Sequence, residues 1–296
     1  MSTYNGERYI TQQLESIFQD RKHEIVLYVR DDGSKDATVD IIKKYSDQHD
    51  VQIEINEGKN VGAERSFLEA LRECPEAEYY AFCDQDDVWI DGKLSAAIKE
   101  MSAENQPVLW CSDYEVTDSN LHVLIPSSLK EPVSDSLRAI FYNNVPGCTM
   151  VFNRALLQEI RKIRISEIRM HDIMAINVAL ITGKVIFSKN PYVLYRQHAD
   201  NVLGYRHKKI KIDEWLKDKI ELIRNKEKYS TAEYAKAVLD AFACQMDENQ
   251  KKEYELISRM NEGLIIRLQI LTRQYTKSKF GRTSLSIRCK ILLNLM

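Results

Sequence analysis

Three carboxylates occupy four positions in the run Phe82-Cys83-Asp84-Gln85-Asp86-Asp87-Val88-Trp89, directly behind a hydrophobic stretch. Like charges packed this closely raise one another's pKa, so the cluster persists cheaply only where solvent or a cation neutralises it. Hard carboxylate oxygens suit Mg2+ or Mn2+ shared with substrate phosphates, which makes Asp84 and Asp86 candidate metal ligands; a solvated loop is the plainer alternative. A second acidic pair, Asp31-Asp32, closes the run EIVLYVR and enters Gly33-Ser34. It reads either as turn chemistry or as a carboxylate offered to a nucleoside at the edge of a sheet. Met170-His171-Asp172 stands before the apolar run IMAINVALI, where Asp172 is either a helix N-cap or a general base. Tyr195-Arg196-Gln197-His198 offers a cation and an imidazole to phosphates or to a metal.

Strands and helices must alternate to bring these segments together. Short β-rich runs at 25–30, 51–56, 79–83, 108–112 and 148–152 predict strands, and amphipathic runs at 8–20, 37–48, 62–73 and 91–103 predict the helices between them. Asp36 is the expected N-cap of the second helix. The pattern is that of a parallel-rich sheet covered by helices, in which ligands bind at the carboxyl ends of strands. From Lys208 to Tyr275 helix formers dominate, and Tyr254, Ile257, Leu264, Leu268, Leu271 and Tyr275 recur at helical spacing, predicting a helical appendage. The expected division is 1–206 for an α/β domain and 207–296 for that helical region.

At 296 residues and 44% hydrophobic content the chain can bury one sizeable α/β core, which excludes global disorder. Its six cysteines are scattered without paired spacing, so neither a disulfide framework nor a metal finger is expected. No run approaches the roughly 20 apolar residues of a spanning helix, and MSTYNGERYI lacks a signal-peptide core, so a cytoplasmic protein is expected. The net charge of -2 gives no reason to expect a nucleic-acid partner. It conceals an acidic front and a basic tail, whose last 21 residues suit either an anionic membrane surface or a docked helix.

In their order, STYNG, RDDGSKDAT, FCDQDDVWIDGKL, GCTMVFN, MHD and LYRQHADNVLG resemble the family 2 glycosyltransferases with a GT-A fold, over about residues 1–205, and within them the bacterial rhamnosyltransferase-like members. The resemblance implies a Rossmann-like mixed sheet flanked by helices, with a C-terminal helical appendage. It also implies an inverting, metal-dependent transfer of a sugar from a nucleotide-diphosphate donor to a saccharide or polyprenyl-linked acceptor in surface polysaccharide synthesis, with dTDP-rhamnose as the expected donor. Residue by residue, it places Thr3 and Tyr4 at the nucleoside, Asp31 or Asp32 at the base or ribose, and Asp84 at the ribose or a metal-bound water. Asp86 becomes the direct metal ligand, His198 completes the metal or diphosphate site, and Asp172 is the catalytic base. The cofactor is Mn2+ or Mg2+.

The chain departs from the family at its start, where Met1 stands directly before Ser2 and a hydrophobic strand of about five residues is expected. Either that central strand position is vacant or the start was assigned too late, and the late start is the expectation. Two other functions share some of these features. A nucleotidyltransferase requires a Gly-rich basic phosphate loop, for which the segment 2–9 offers only Gly6 and Arg8. A degenerate, non-catalytic scaffold has no need to retain Asp84, Asp86 and Asp172.

Overall fold

The computed structural model describes residues 1–129, 131–164, 170–198, 230–276 and 281–295. Its first third alternates β1 (Ser2–Thr3), α1 (Ile10–Phe18), β2 (Val26–Asp31), α2 (Thr38–His49), β3 (Gln52–Glu57) and α3 (Ala63–Glu73). The three strands pair in parallel in the order β1-β2-β3. Helix α1 buries Ile10, Leu14, Ile17 and Phe18, the three-and-four spacing that gives a helix one apolar face, against Leu27 and Val29 of β2.

Next come β4 (Tyr79–Ala81), β5 (Val88–Trp89), α4 (Lys93–Met101), β6 (Val108–Thr117), β7 (Val123–Ile125), α5 (Ser136–Ala139), β8 (Met150–Asn153), α6 (Arg154–Ile160), α7 (His171–Thr182) and β9 (Lys184–Arg196). They build a second sheet in the order β4-β8-β6-β9-β5, with β7 on β6. Only the β6–β9 pair is parallel there, so the sheet is mixed rather than parallel-rich. A parallel bridge between Ser2 and Asp84 joins the two sheets and sets the acidic run at their seam.

The described chain places only the two-residue β1 beside β2, where a strand of about five residues is expected. The Met1 ammonium donates to the Tyr28 carbonyl at 2.7 Å, Arg30 N–H donates to Met1 O at 2.9 Å, and the Met1 side chain is buried beside Leu27 and Val29. Two further expectations shift. The strand expected at 148–152 opens as a 3-10 turn over Gly147–Thr149 and becomes β8 at Met150. Ala37, not Asp36, holds the N-cap position of α2; Asp36 accepts from Thr38 N–H at 3.0 Å from one place further out.

The C-terminal part contains α8 (Thr231–Phe242), α9 (Glu248–Ser258), α10 (Leu264–Thr272) and α11 (Gly281–Leu292). Asp247 and Gln250 form a reciprocal capping box at the start of α9. The expected stripe from Tyr254 to Tyr275 does not lie on one face. The helix breaks between Ser258 and Leu264, which resets its phase: Tyr254, Ile257, Ile270 and Tyr275 are buried, whereas Leu264 and Leu268 are exposed. The division expected at 206/207 lies outside the described residues, and so does the start of the helical region. Residues of α8 and α9, among them Ala235, Val238, Phe242 and Ile257, share one core with Met174 and Val178 of α7.

One buried polar hub ties these helices together. Asn177 on α7 donates to Ser136 O at 2.7 Å and to Tyr254 Oη at 2.9 Å, and it accepts from Tyr234 Oη at 3.0 Å. Asn177→Ala removes a buried hydrogen bond from each of two phenol groups and from the Ser136 carbonyl. The expected loss is about 2–4 kcal/mol of unfolding free energy, read from the urea midpoint.

Candidate active site

The residues after β4 and the start of α7 bring two of the acidic segments together, because the Phe82 and His171 rings pack edge-on and both lie against Phe67 of α3. Asp84 follows β4 at the seam and is half-buried. Burial, reinforced by the nearby charges of Asp86 and Asp172, pushes its carboxyl up to about 7. Asp86 is also half-buried, and its Oδ2 lies 2.7 Å from Nε2 of His198 at the end of β9. Sequence positions 84, 86, 172 and 198 thus converge on one site.

The third carboxylate of the run plays a different part. Asp87 is buried; one of its oxygens accepts Arg196 N–H at 2.9 Å, and its carboxyl lies beside the Cys148 thiol. Burial, then the charges of Asp86 and Asp84, raise its pKa well above the usual carboxylate range. Beneath it the buried Lys93 ammonium donates to Cys148 O at 2.6 Å and lies 3.8 Å from the centre of the Trp89 ring. Burial lowers the pKa of Lys93 to about 8.

The loop is clamped from three sides. Gln85 pairs with the Tyr4 backbone through both amide atoms, at 2.9 and 3.0 Å, passing where Gly6 has no side chain; a Cβ there would lie 2.2 Å from Gln85 Oε1. Gln13 of α1 donates to Asp84 O at 3.0 Å. Arg196, expected to face phosphates, is buried instead and donates to Asp86 O, Ser119 O and Gln12 Oε1 at 2.7, 2.8 and 2.7 Å. Its guanidinium and the His198 ring both pack on Tyr9, so the loop bearing His198 is fixed against α1.

The acidic pair after β2 turns inward. Asp31 accepts from Thr3 Oγ1, Ser34 Oγ, Ser34 N and Gly33 N at 2.6–3.1 Å, which builds the turn around a buried carboxylate. Asp32 accepts from the Arg30 guanidinium and from the amides of Val61 and Gly62 at the start of α3. Thr3 is buried, while Tyr4 beside this turn is 44% exposed.

Asp172 lies in the first turn of α7, where Met170 is the N-cap residue, so its carboxylate does not serve as the cap. Its Oδ1 accepts Ile173 N–H at 2.6 Å. The preceding His171 is stacked on Phe67 and edge-on to Phe82, with ring centroids 3.9 and 4.5 Å apart, and burial drives its pKa down to about 3. That neutral ring, packed between two phenylalanines, anchors the start of α7. Gly147 makes room for it, since a Cβ there would lie 2.4 Å from His171 Nε2. Gly147→Ala is expected to push the ring off Phe67 and shift Asp172, lowering turnover about tenfold at a stability cost of about 1–3 kcal/mol, read by kinetics and urea unfolding.

A divalent cation fits this donor set. A carboxyl raised by burial and then by the charges of Asp86 and Asp172 is relieved by positive charge. Asp84, Asp86 and His198 can supply oxygen and imidazole ligands. Among the described residues the ligand atoms that lie within 4.8 Å of one another are those of Asp84, Asp87 and Cys148, not those of the expected set Asp84, Asp86 and His198, of which Asp86 and His198 bond to each other; burial raises the Cys148 thiol well above its ordinary value, and a protonated thiol is a poor match for Mg2+ or Mn2+. Asp87 and Cys148 therefore read as support beneath the site.

Gln85, Asp87 and Lys93 went unassigned in the sequence. A lysine opening an amphipathic helix looks like a solvated residue until the sheet above it is in place.

The sequence model of Glycosyl transferase family 2 matches residues 1–161. The chain is 29% identical over 220 residues to the dTDP-rhamnosyl transferase RfbG of Shigella flexneri, covering 69% of this chain and 73% of that protein. It is 28% identical over 200 residues to the UDP-Glc:alpha-D-GlcNAc-diphosphoundecaprenol beta-1,3-glucosyltransferase WfgD of Escherichia coli, covering 64% and 76%. The crystal structure of S. aureus TarS 1-349 in complex with UDP-GlcNAc superposes with a TM-score of 0.56 at 16% identity, over 99% of this chain and 89% of that one, which establishes a GT-A fold. With its acidic seam in that fold and more than half its length matched by the family, this chain belongs to glycosyl transferase family 2.

Proposed function

We propose that the chain transfers a sugar from a nucleotide-diphosphate donor to an acceptor hydroxyl with inversion at the anomeric carbon. The convergence of Asp84, Asp86 and Asp172, whose charges act on one another across the seam, is the observation that carries this reading. Asp84, Asp86 and His198 would hold Mn2+ or Mg2+, which when bound offsets the charge developing on the departing diphosphate. The exposed Tyr4 ring packs on the nucleoside base, and the turn built on Thr3, Asp31 and Asp32 fixes the loop beside it. Asp172 accepts the proton of the acceptor hydroxyl as that oxygen attacks from the face opposite the diphosphate. The new carbon–oxygen bond forms as the bond to the diphosphate breaks, so one displacement suffices and no enzyme nucleophile is needed.

The likeness to RfbG supports dTDP-rhamnose as donor, and the likeness to WfgD supports a lipid-linked saccharide of surface polysaccharide synthesis as acceptor. The test is transfer from dTDP-rhamnose to a polyprenyl-linked saccharide with Mn2+, followed by proton NMR of the product. A linkage of the anomeric configuration opposite to the donor's is expected. Retained configuration would reject the single displacement, and transfer only from another nucleotide sugar would reassign the donor.

A further inference from the structure

Helix α10 leaves an apolar face uncovered. Leu264, Ile265 and Leu268 stand on adjoining positions of one and a half turns, with Ile265 73% exposed and the other two about half exposed, whereas Ile270 faces the core. Scattered single aliphatics are ordinary on a protein surface, but three in contact range on one helix face form a patch that calls for a cover. Helix α11 packs against α10 and ends in exposed Leu292 and Leu293, with Arg288 exposed on its surface and Lys290 in its last turn.

The charge of this segment selects the cover. After Glu262 the sequence contains no further Asp or Glu and seven Lys or Arg, so the uncovered face lies in a wholly basic stretch. Arg273 is paired with Glu253 at 3.0 Å, and exposed Arg288 is the cation that α11 presents near the exposed Leu292 and Leu293. Apolar side chains beside such a cation match the boundary between acyl chains and anionic headgroups, into which aliphatics insert while cations stay among phosphates. No described helix is long and apolar enough to cross a membrane, so the contact is one of lying on the surface.

We propose that the Leu264–Ile265–Leu268 face of α10, with the basic α11 beside it, docks the protein on the surface of an anionic bilayer. The sequence alone had drawn attention to the last 21 residues; the structure adds α10, upstream of them, as the inserting element. This inference stands apart from the sugar-transfer reading, because vesicle binding is read without any turnover.

The test is flotation of the full chain with vesicles of phosphatidylglycerol and phosphatidylcholine, compared with vesicles of phosphatidylcholine alone. The bound fraction is expected to be at least about tenfold higher on the anionic vesicles and to fall in about 0.5 M NaCl. The triple variant Leu264→Ser, Ile265→Ser, Leu268→Ser should bind at least about tenfold less with an unchanged circular-dichroism melting curve, because the three side chains support no core. Arg288→Glu, which leaves the apolar face intact, should lower binding about threefold. Equal binding to both vesicle types, undiminished binding of the triple variant, or a wild-type dimer that this variant converts to monomers would overturn the proposal, the last by showing that a second copy covers the face.

Discussion

Asp172→Asn is expected to lower kcat for sugar transfer by about 10²–10⁴-fold while donor affinity stays within about threefold. The substitution keeps the shape of the side chain and an oxygen that can accept the Ile173 N–H, so the start of α7 and the His171 stack are retained. What disappears is the capacity to take a proton. A negative charge in the first turn of a helix contributes only about 0.3–1 kcal/mol to stability, too little to account for a loss of that size through unfolding. Single-turnover kinetics beside a donor titration separate the two roles: if Asp172 serves the helix alone, kcat stays within a few-fold of the wild type.

Asp86→Asn should have an effect of similar size through a different route. It removes the charge of one proposed metal ligand and of the carboxylate beside His198, so metal-dependent turnover should fall by at least about 10²-fold and the Mn2+-induced rise in Tm should vanish. The wild-type protein adds a pH signature. Asp84 holds its proton to about 7 in the folded chain but releases it near 3.8 when unfolded. Between those values the folded state binds the extra proton, so this group makes the metal-free protein less stable as pH rises from about 4 to about 7, with no further loss above. A cation must displace that proton to bind. Apparent Mn2+ affinity should therefore fall by up to about tenfold per pH unit below 7, and the Mn2+-induced rise in Tm should be larger at pH 8 than at pH 6. An equal shift at both pH values would mean that Asp84 is not among the ligands.

The chemistry of the site was more legible in the sequence than its support. Asp84 and Asp86 stand out because three carboxylates follow an apolar run, a pattern that a solvated loop also gives, and in the structure the charges of Asp86 and Asp172 both act on Asp84. Strands at 25–30, 51–56 and 79–83 lie within one or two residues of β2, β3 and β4, since an apolar run such as IVLYV and an alternating one such as VQIEIN, bounded by turn residues, leave little choice of position. The antiparallel pairings of β8, β5 and β7 carry no local signal, because partner choice is decided by packing across the sheet. Arg196 shows the same limit. Its type suggests a phosphate ligand, yet its three carbonyl and amide acceptors come from residues 77 to 184 positions away. The mistaken stripe through Leu264 and Leu268 has a local cause, since the break before α10 rotates the phase of every residue that follows.

The most direct test is release of the nucleoside diphosphate from a panel of nucleotide sugars by the purified chain, with Mn2+ and with the ion removed by a chelator. The account predicts slow release of dTDP from dTDP-rhamnose that requires the ion and is absent in Asp86→Asn. Release that persists undiminished without the ion, or no binding of any nucleotide sugar in its presence, would contradict a metal-dependent glycosyl transfer at the Asp84–Asp86 seam.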